Sequence, residues 1–385
     1  MQILKQMVFL LVFHYIVFGP GVFSASAASG SFKSDSPINF RVEKILFNLL
    51  KCKDRNIQPP NATEMSLLLD FMTTCKRRGE EVNPENYSGA AGIFFTQSIG
   101  KSFPLVLRYL FNPDIPAQLL FPSSLRLTRQ LPESSSLKRP VWELLPELTE
   151  TPVFYWSIEE EEITPDDFSG TYYKYNLSRL IMLFRHNGQP MLMVASWQDD
   201  ESGIGKRGGI LGEYNNWDYV YSYKPGATAS GIGWAETRIY SSASVTLLYP
   251  EEDGQSTGYA VFKWLKAGTF GLNMVQARHI AAGAERAFTG FMEVINRQNS
   301  PSPQALEEMV SRVQACSDET LLAESRSYCL ALAGLSKNDS ILSEEDFQLM
   351  LNDGKYCRNI SREHLEALVM KNEVKRMLGK PVLGD

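Results

Sequence analysis

The sequence predicts an α+β protein in which an antiparallel β-sheet is gripped by a long amphipathic helix, with N-terminal helices and a C-terminal helical addition. Three observations predict this class. Residues 153–265 alternate short apolar segments with turn residues and contain no helix of crossover length, which favours antiparallel pairing. Residues 272–296 carry apolar side chains with a 3.6-residue period. Residues 39–75 and 304–378 contain shorter segments with helical spacing.

The first 27 residues predict a cleavable secretory signal peptide. Lys5 precedes an apolar segment at 7–18, a Gly-Pro-Gly sequence at 19–21 ends that segment, and Ala-Ser-Ala at 25–27 suits a signal peptidase. The apolar segment is shorter than the roughly 20 residues that a membrane-spanning helix needs. We therefore expect an exported protein, periplasmic or extracellular, with no transmembrane segment after cleavage.

The overall composition limits the class of function. Apolar residues make up 44% of the chain, which is enough for a sizeable core. The formal net charge is −6, and the chain contains no basic tract. Because nucleic-acid binding depends on neutralising phosphates with basic side chains, we expect no nucleic-acid partner.

Five cysteines lie towards the two ends of the chain: Cys52, Cys75, Cys316, Cys329 and Cys357. In an oxidising compartment, their positions predict a Cys52–Cys75 disulfide and one disulfide among the last three, with one thiol left over. Their spacings are wide and no histidine lies near them in the manner of a zinc site, so we predict no metal.

The N-terminal part, residues 28–84, predicts a helical hairpin formed by 39–52 and 61–75. A further helix is predicted at 97–111. Seven prolines follow between 112 and 152, and because proline removes amide donors, this stretch predicts extended wrapping without regular structure.

The central part, residues 85–298, contains the predicted sheet and the long helix. Asn187-Gly188 is the strongest short hairpin signal and lies between two apolar segments. We interpret the acidic run Glu159 to Glu162 as a solvated edge. Residues 299–385 form the helical C-terminal region. The predicted strands are 153–158, 171–176, 180–185, 191–197, 217–223, 233–240, 244–249 and 258–264.

No motif for catalysis or cofactor binding meets its structural requirements. The glycine-rich segment 203–209 lacks the spacing of a phosphate loop and opens no helix. Three histidines remain after cleavage, namely His186, His279 and His364, and HExxH is absent. We predict no catalytic residue, no metal and no cofactor. A serine or cysteine within hydrogen-bond reach of one of these histidines would favour a hydrolase.

The densest signal in the sequence is aromatic and includes Trp217, Tyr219, Tyr221 and Trp234. Aromatic side chains suit strands and fill cores. An apolar cavity with a few phenol and indole groups is also typical of ligand pockets. The sequence leaves both interpretations open.

The end of the central part resembles a known family. Antiparallel strands lead into Phe262-Lys-Trp-Leu-Lys-Ala-Gly268, a glycine-bearing loop and one long amphipathic helix. This order resembles START-type, helix-grip lipid-binding domains over residues 85–298, with the local match at 262–295. The cysteine-bearing helical ends are not part of that family's pattern. The resemblance implies an apolar cavity between sheet and helix, lined by residues such as Met274, Ile280, Phe288 and Phe291.

These observations predict an exported, non-catalytic binding protein for a lipid or other apolar small molecule. One alternative is a structural or protein-interaction module of the cell envelope, which an exposed apolar patch on residues 303–378 would favour. The other is a secreted serine-type hydrolase. Fold resemblance alone does not establish function, so the choice depends on the cavities and side-chain clusters of the folded chain.

Overall fold

Two antiparallel β-sheets make up the strand content of the computed structural model, which describes residues 38–57, 59–78, 83–134, 139–229, 233–335, 339–351 and 356–385. The strands are β1 (Ala91–Ile99), β2 (Leu125–Gln130), β3 (Val153–Ile163), β4 (Thr171–Tyr172), β5 (Lys174–His186), β6 (Gln189–Gln198), β7 (Lys206–Ile210), β8 (Tyr219–Pro225), β9 (Arg238–Pro250) and β10 (Thr257–Gly268). The predicted signal peptide lies outside the described residues.

The large sheet has seven strands in the order β1-β10-β9-β6-β5-β3-β2, and each neighbouring pair is antiparallel. The predicted hairpin joins β5 to β6. Asn187 and Gly188 have φ values of 51° and 77°, the left-handed conformation that a two-residue hairpin turn requires, and His186 pairs with Gln189. A second sheet, of order β4-β7-β8, lies beside the large one.

Helices cover both faces of the large sheet, which confirms the predicted α+β class. From Ile38 onward the described residues belong to one compact unit. The helices are α1 (Phe40–Lys51), α2 (Ala62–Arg78), α3 (Phe103–Leu110), α4 (Ala117–Leu120), α5 (Ala277–Asn296), α6 (Pro303–Gln314), α7 (Asp318–Leu335), α8 (Glu345–Leu351), α9 (Tyr356–Asn359) and α10 (Arg362–Met377).

The N-terminal helices α1 and α2 pack on one face of the large sheet. Leu46 and Leu49 of α1 and Leu68 of α2 are fully buried in one core with Met193 and Phe262 of the sheet. The apolar stripe of α1 recurs every three to four residues, so the helix presents one continuous surface to the strands. The two predicted N-terminal helices therefore form and cover this face.

The opposite face is covered by α3, α4 and the C-terminal helices, which share a second core. The long helix α5 packs on β1 and β10 on this side. It begins at Ala277, five residues later than predicted, because Gln276 caps it: the Gln276 side chain accepts from the His279 backbone, and the His279 ring accepts from the Gln276 backbone N–H. Gly271, at φ 77°, forms part of the loop that precedes it.

The segment between residues 91 and 152 differs from its prediction. The predicted helix at 97–111 is divided, since β1 ends at Ile99 and α3 begins at Phe103 with Pro104 in its first turn. Within the proline-rich stretch, β2 pairs with β3. Proline is compatible with this strand because none lies inside Leu125–Gln130. Short 3₁₀ turns at Val141–Glu143 and Leu145–Glu147 complete the stretch.

The disulfide pattern confirms one prediction and contradicts another. Cys329 of α7 and Cys357 of α9 form a disulfide, one of the pairs allowed among the last three cysteines, and Cys316 stays outside it. The predicted Cys52–Cys75 disulfide is absent. Cys52 caps the end of α1 and its thiol lies 3.6 Å from the carbonyl of Asn48, so it points back along its own helix. Within the described ranges, no helix has the length and apolar character needed to cross a membrane.

Candidate functional site

The candidate ligand-binding residues predicted from the sequence lie in different parts of the structure. Trp217, Tyr219 and Tyr221 are buried at and just before β8. Trp234 lies in the loop between β8 and β9 and is 60% exposed. Met274 lies in the loop before α5, where its backbone N–H donates to the Ala267 carbonyl. Burial therefore differs within the aromatic cluster, since the side chains at β8 are buried and Trp234 is exposed.

The interface between α5 and the sheet is filled by side chains. Ile280 packs on Ile93 of β1, and Phe288 packs against an aromatic ring of β10. Phe291 is buried and stacks on Phe121 with ring centroids 5.0 Å apart. These contacts occupy the space in which the helix-grip resemblance implies a cavity, so the concavities of interest lie elsewhere.

A concavity of about 40 Å³, which we call the tyrosine pocket, lies where β2 and β8 meet α7, α9 and α10. Tyr219 and Tyr221 point to it together because alternate residues of a strand share a face. Tyr328 and Tyr356 come from the C-terminal helices. Its polar lining includes Arg126, Tyr219, Tyr221, Tyr328, Tyr356, His364 and Lys371.

A buried chain of charges runs along one side of the tyrosine pocket. The Arg126 guanidinium pairs with Glu162, and both side chains are almost fully buried. Nε2 of His364 lies 3.1 Å from the other carboxylate oxygen of Glu162. Burial alone would raise the pKa of Glu162, but the His364 hydrogen bond and the Arg126 charge outweigh it and lower this pKa to about 2. Glu162 is therefore a carboxylate at neutral pH.

This pairing corrects the interpretation of the acidic run as a solvated edge. Glu161 and Glu162 are both buried, and Glu161 accepts from Arg179 at 2.6 Å. The antiparallel pairing of β3 with β2 and β5 places these arginines beside the carboxylates, so the run is compensated inside the protein. Burial raises the pKa of Glu161, and Arg179 opposes this rise.

Lys371 of α10 is a second cation in the lining of the tyrosine pocket. Its ammonium lies 5.4 Å from the ring centroid of Tyr219 and 5.9 Å from that of Tyr328. Burial lowers the pKa of Lys371 to about 8, against the attraction of Asp218. Among the residues that the structure describes, Lys371 forms no ion pair with a carboxylate.

A second buried ion pair anchors α10 to the strand that carries the tyrosines. The Lys375 ammonium donates to both carboxylate oxygens of Asp218 at 2.9 and 3.0 Å, and the Lys375 side chain has no solvent exposure. Lys380 lies 4.4 Å over the ring of Trp217 beside it. The C-terminal helices are thus fixed to β8 by charge as well as by apolar packing.

The second concavity, which we call the apolar groove, has a volume of about 310 Å³ and lies between α2 and strands β3 and β5. Phe154 of β3 is 47% exposed at this groove. At its rim, Arg185 donates to the carbonyls of Leu148 and Gly188, so its guanidinium is already engaged. The apolar lining consists of Pro59, Pro60, Met65, Leu69, Pro152, Phe154, Met182 and Phe184.

A wider cleft of about 610 Å³, lined largely by charged and polar residues, opens beside β4 and β7. The Lys174 ammonium lies 2.8 Å from Glu160, which also pairs with Arg129. Carboxylate and basic side chains both line this cleft. Within the described segments, no group of three or more His, Cys, Asp or Glu side chains could hold a metal ion.

The three histidines differ in their surroundings. His186 contacts Asp70 at 3.2 Å, and His279 caps α5. Nδ1 of His364 lies 2.8 Å from Oγ of Ser361, and a serine in contact with a histidine is the arrangement expected of a serine-type hydrolase. Ser361 is also the N-cap of α10 and accepts from the His364 backbone N–H.

Sequence reasoning missed the part of the tyrosine pocket that comes from the C-terminal helices, including Tyr328, Tyr356 and Lys371. One signal could have found the two tyrosines. Each directly precedes a cysteine, and a disulfide between Cys329 and Cys357 necessarily brings both Tyr-Cys dipeptides together. The chain matches no protein-family model and no curated protein sequence. The candidate sites therefore depend on the geometry of this chain alone.

Proposed function

We propose that the protein is an exported, non-catalytic binding protein for a lipid or other apolar small molecule, and that the ligand occupies the apolar groove. The observation that carries the proposal is the size and lining of this groove. About 310 Å³ of concave space is lined mainly by proline, methionine, leucine and phenylalanine side chains. Ligand sites of proteins have this volume and this predominance of apolar lining.

The chemistry of the lining favours an apolar ligand over a polar one. The prolines of the groove fix the backbone of two walls, and Met65 and Met182 have flexible, polarizable side chains that adapt to ligand shape. Arg185 and His186 at the rim already bind partners within the chain. A ligand that covers the exposed ring of Phe154 gains about 25 cal/mol for each Å² of apolar surface removed from water.

The proposed export has two sources of support. The N-terminal sequence has the layout of a secretory signal. The Cys329–Cys357 disulfide fits a protein that folds in an oxidising compartment, such as the periplasm or the cell exterior.

Fluorescence of N-phenyl-1-naphthylamine tests the proposal, because this apolar probe brightens when it leaves water. We expect saturable binding to the wild-type protein and a large loss of binding in Phe154→Asp. Phe40→Asp is the matched control, since Phe40 is also an exposed phenylalanine but lies outside the groove. Native mass spectrometry of protein purified from its own host, followed by organic extraction, then identifies any ligand that co-purifies. Equal binding by both variants and the wild type would contradict the groove as the site.

A second candidate function, serine-type hydrolysis, is favoured by the hydrogen-bonded series Ser361–His364–Glu162. A nucleophile, a base and an orienting carboxylate in contact are the usual components of such a site. Here the serine contacts Nδ1 and the carboxylate contacts Nε2. A fluorophosphonate probe distinguishes the candidates: a hydrolase is labelled at Ser361 and loses the label in Ser361→Ala, whereas a helix cap without nucleophilic character is not labelled.

A further inference from the structure

We infer that the tyrosine pocket is a binding site for a small carboxylate, separate from the apolar groove and independent of it. The two concavities share no lining residue and lie on different sides of the fold. The inference depends on three features of the pocket: its uncompensated charge, the occupation of its aromatic faces, and its free hydrogen-bond donor.

Of the cations in and beside the pocket, one has no carboxylate partner. Arg126 is neutralised by Glu162, and Lys375 by Asp218. Lys371 faces the pocket with no carboxylate within ion-pair distance in the described part of the chain. Lys371 is half-buried at the pocket wall, and a bound anion would supply the counter-ion that this partly desolvated ammonium lacks. His364, which hydrogen-bonds Glu162, adds no negative charge to the pocket.

The aromatic rings exclude a cationic ligand. Four tyrosines around one pocket could form a cage for an ammonium group, which is a common use of such rings. Here three of the four rings already have a cation of the protein over them. The Arg126 guanidinium lies 3.6 Å from the ring centroid of Tyr221, and Lys371 lies over Tyr219 and Tyr328. The ligand that best complements the pocket is therefore an anion.

One phenol is placed to donate to that anion. The backbone N–H of Tyr221 donates to the Tyr356 hydroxyl at 3.3 Å, so the hydroxyl hydrogen of Tyr356 remains for a second partner. The Tyr328 hydroxyl differs, because it donates to the Tyr219 carbonyl at 3.0 Å. An ammonium and a phenol on the pocket wall match the two oxygens of a carboxylate.

The volume of the pocket limits the ligand. About 40 Å³ is room for only a few water molecules, so the pocket accepts a carboxylate group with a short tail. The lowered pKa of Lys371, about 8, still leaves most of the amine protonated at neutral pH. A carboxylate beside it must raise this pKa, since an opposite charge favours the protonated form.

Acetate is the probe that tests the inference, with acetamide as a neutral control of the same shape. In saturation-transfer NMR we expect acetate to bind the wild-type protein and acetamide to show at least about tenfold weaker binding. We expect Lys371→Met to weaken acetate binding at least about tenfold, and Lys44→Met, at an exposed lysine remote from the pocket lining, to leave it unchanged. Equal binding of acetate and acetamide, or unchanged acetate binding in Lys371→Met, would overturn the inference.

A wild-type measurement keeps the test decisive if Lys371→Met does not fold. The pKa of Lys371, followed by NMR of ¹⁵N-labelled lysine side chains, should rise when acetate is added and stay constant with acetamide. Tyr356→Phe removes one oxygen atom and should weaken acetate binding several-fold while the fold is retained. A Lys371 pKa that acetate does not change would also overturn the inference.

Discussion

Lys375 and Asp218 form a buried ion pair in which the lysine side chain has no solvent exposure and both carboxylate oxygens accept from its ammonium. The pair joins the last helix, α10, to the start of β8. Because each partner is withdrawn from water, the stability of this junction depends on keeping both charges or removing both.

We predict that Asp218→Asn destabilises the protein by about 3–5 kcal/mol, since it leaves the buried Lys375 ammonium without its counter-ion. The double variant Asp218→Asn/Lys375→Met should lose less than the single variant. Urea unfolding measures both. Arg297→Ala, which breaks an exposed pair with Glu293 one helical turn away, is the control and should cost less than about 1 kcal/mol. A loss for Asp218→Asn as small as that of the control would contradict the prediction.

The lowered pKa of Glu162 predicts that the folded protein loses stability in acid. Its pKa in the folded protein is lowered from 4.5 to about 2, so its contribution is present above pH 4.5 and is lost as the pH falls towards 2. The shift corresponds to at most roughly 3 kcal/mol. Glu162→Gln should therefore weaken the pH dependence of unfolding between pH 5 and 2, measured by urea titration. Glu319→Gln, at an exposed glutamate, controls for the general effect of removing one negative charge. An unchanged pH dependence in Glu162→Gln would remove Glu162 from this role.

The disulfide between Cys329 and Cys357 should contribute about 3.5 kcal/mol to stability, because it closes a loop of 28 residues in the unfolded chain. Replacing both cysteines by serine should lower the free energy of unfolding by that amount. Acetate binding should weaken as well, since Tyr328 and Tyr356 lie next to the two cysteines. Cys316→Ser is the matched control, as Cys316 lies outside the disulfide. Unfolding that is equally easy in the double variant and the control would argue against this contribution.

Two glycines of α5 should respond in opposite directions to alanine. A Cβ at Gly290 would lie 2.3 Å from Oγ of Ser123, whereas a Cβ at Gly283 would meet no atom within 4 Å. We predict that Gly290→Ala destabilises the protein by about 1–3 kcal/mol through overpacking. Gly283→Ala should stabilise it by about 0.5–1 kcal/mol, since alanine favours a helix. Thermal unfolding of the two variants provides the comparison. Stabilisation by Gly290→Ala would mean that α5 packs less closely than described.

Local signals in the sequence predicted much of the fold. The Asn187-Gly188 turn and the periodic apolar face of α5 each depend on neighbouring residues. The turn occurs where expected, and α5 ends where expected but begins five residues later. Strand β1 was missed because Ile93, Phe94 and Phe95 are apolar on both faces, so the alternation that marks a half-buried strand is absent. Strand β2 was missed because it is identified only by its pairing with a strand some thirty residues away.

The candidate sites were harder to predict than the fold. Tyr219 and Tyr221 stood out in the sequence as members of an aromatic cluster. Lys371 did not stand out, because what distinguishes it is the lack of a counter-ion. That lack arises only in the folded chain, where the neighbouring carboxylates pair with other cations. The apolar groove likewise forms from α2 and the edge of β3 and β5, segments whose contact depends on how the N-terminal helices dock. Periodicity identifies the buried face of a helix but not the strand that it will meet.

The covalent bond between α7 and α9 also bears on how the protein should be produced. Synthesis of the mature chain in a reducing cytoplasm would yield a protein heavier by only two hydrogens, in which no disulfide ties the wall that carries Tyr328 and Tyr356. The reduced protein and the disulfide-bonded protein would then differ in ligand binding. Intact-mass analysis under non-reducing conditions, run before any affinity measurement, distinguishes the reduced chain from the disulfide-bonded chain.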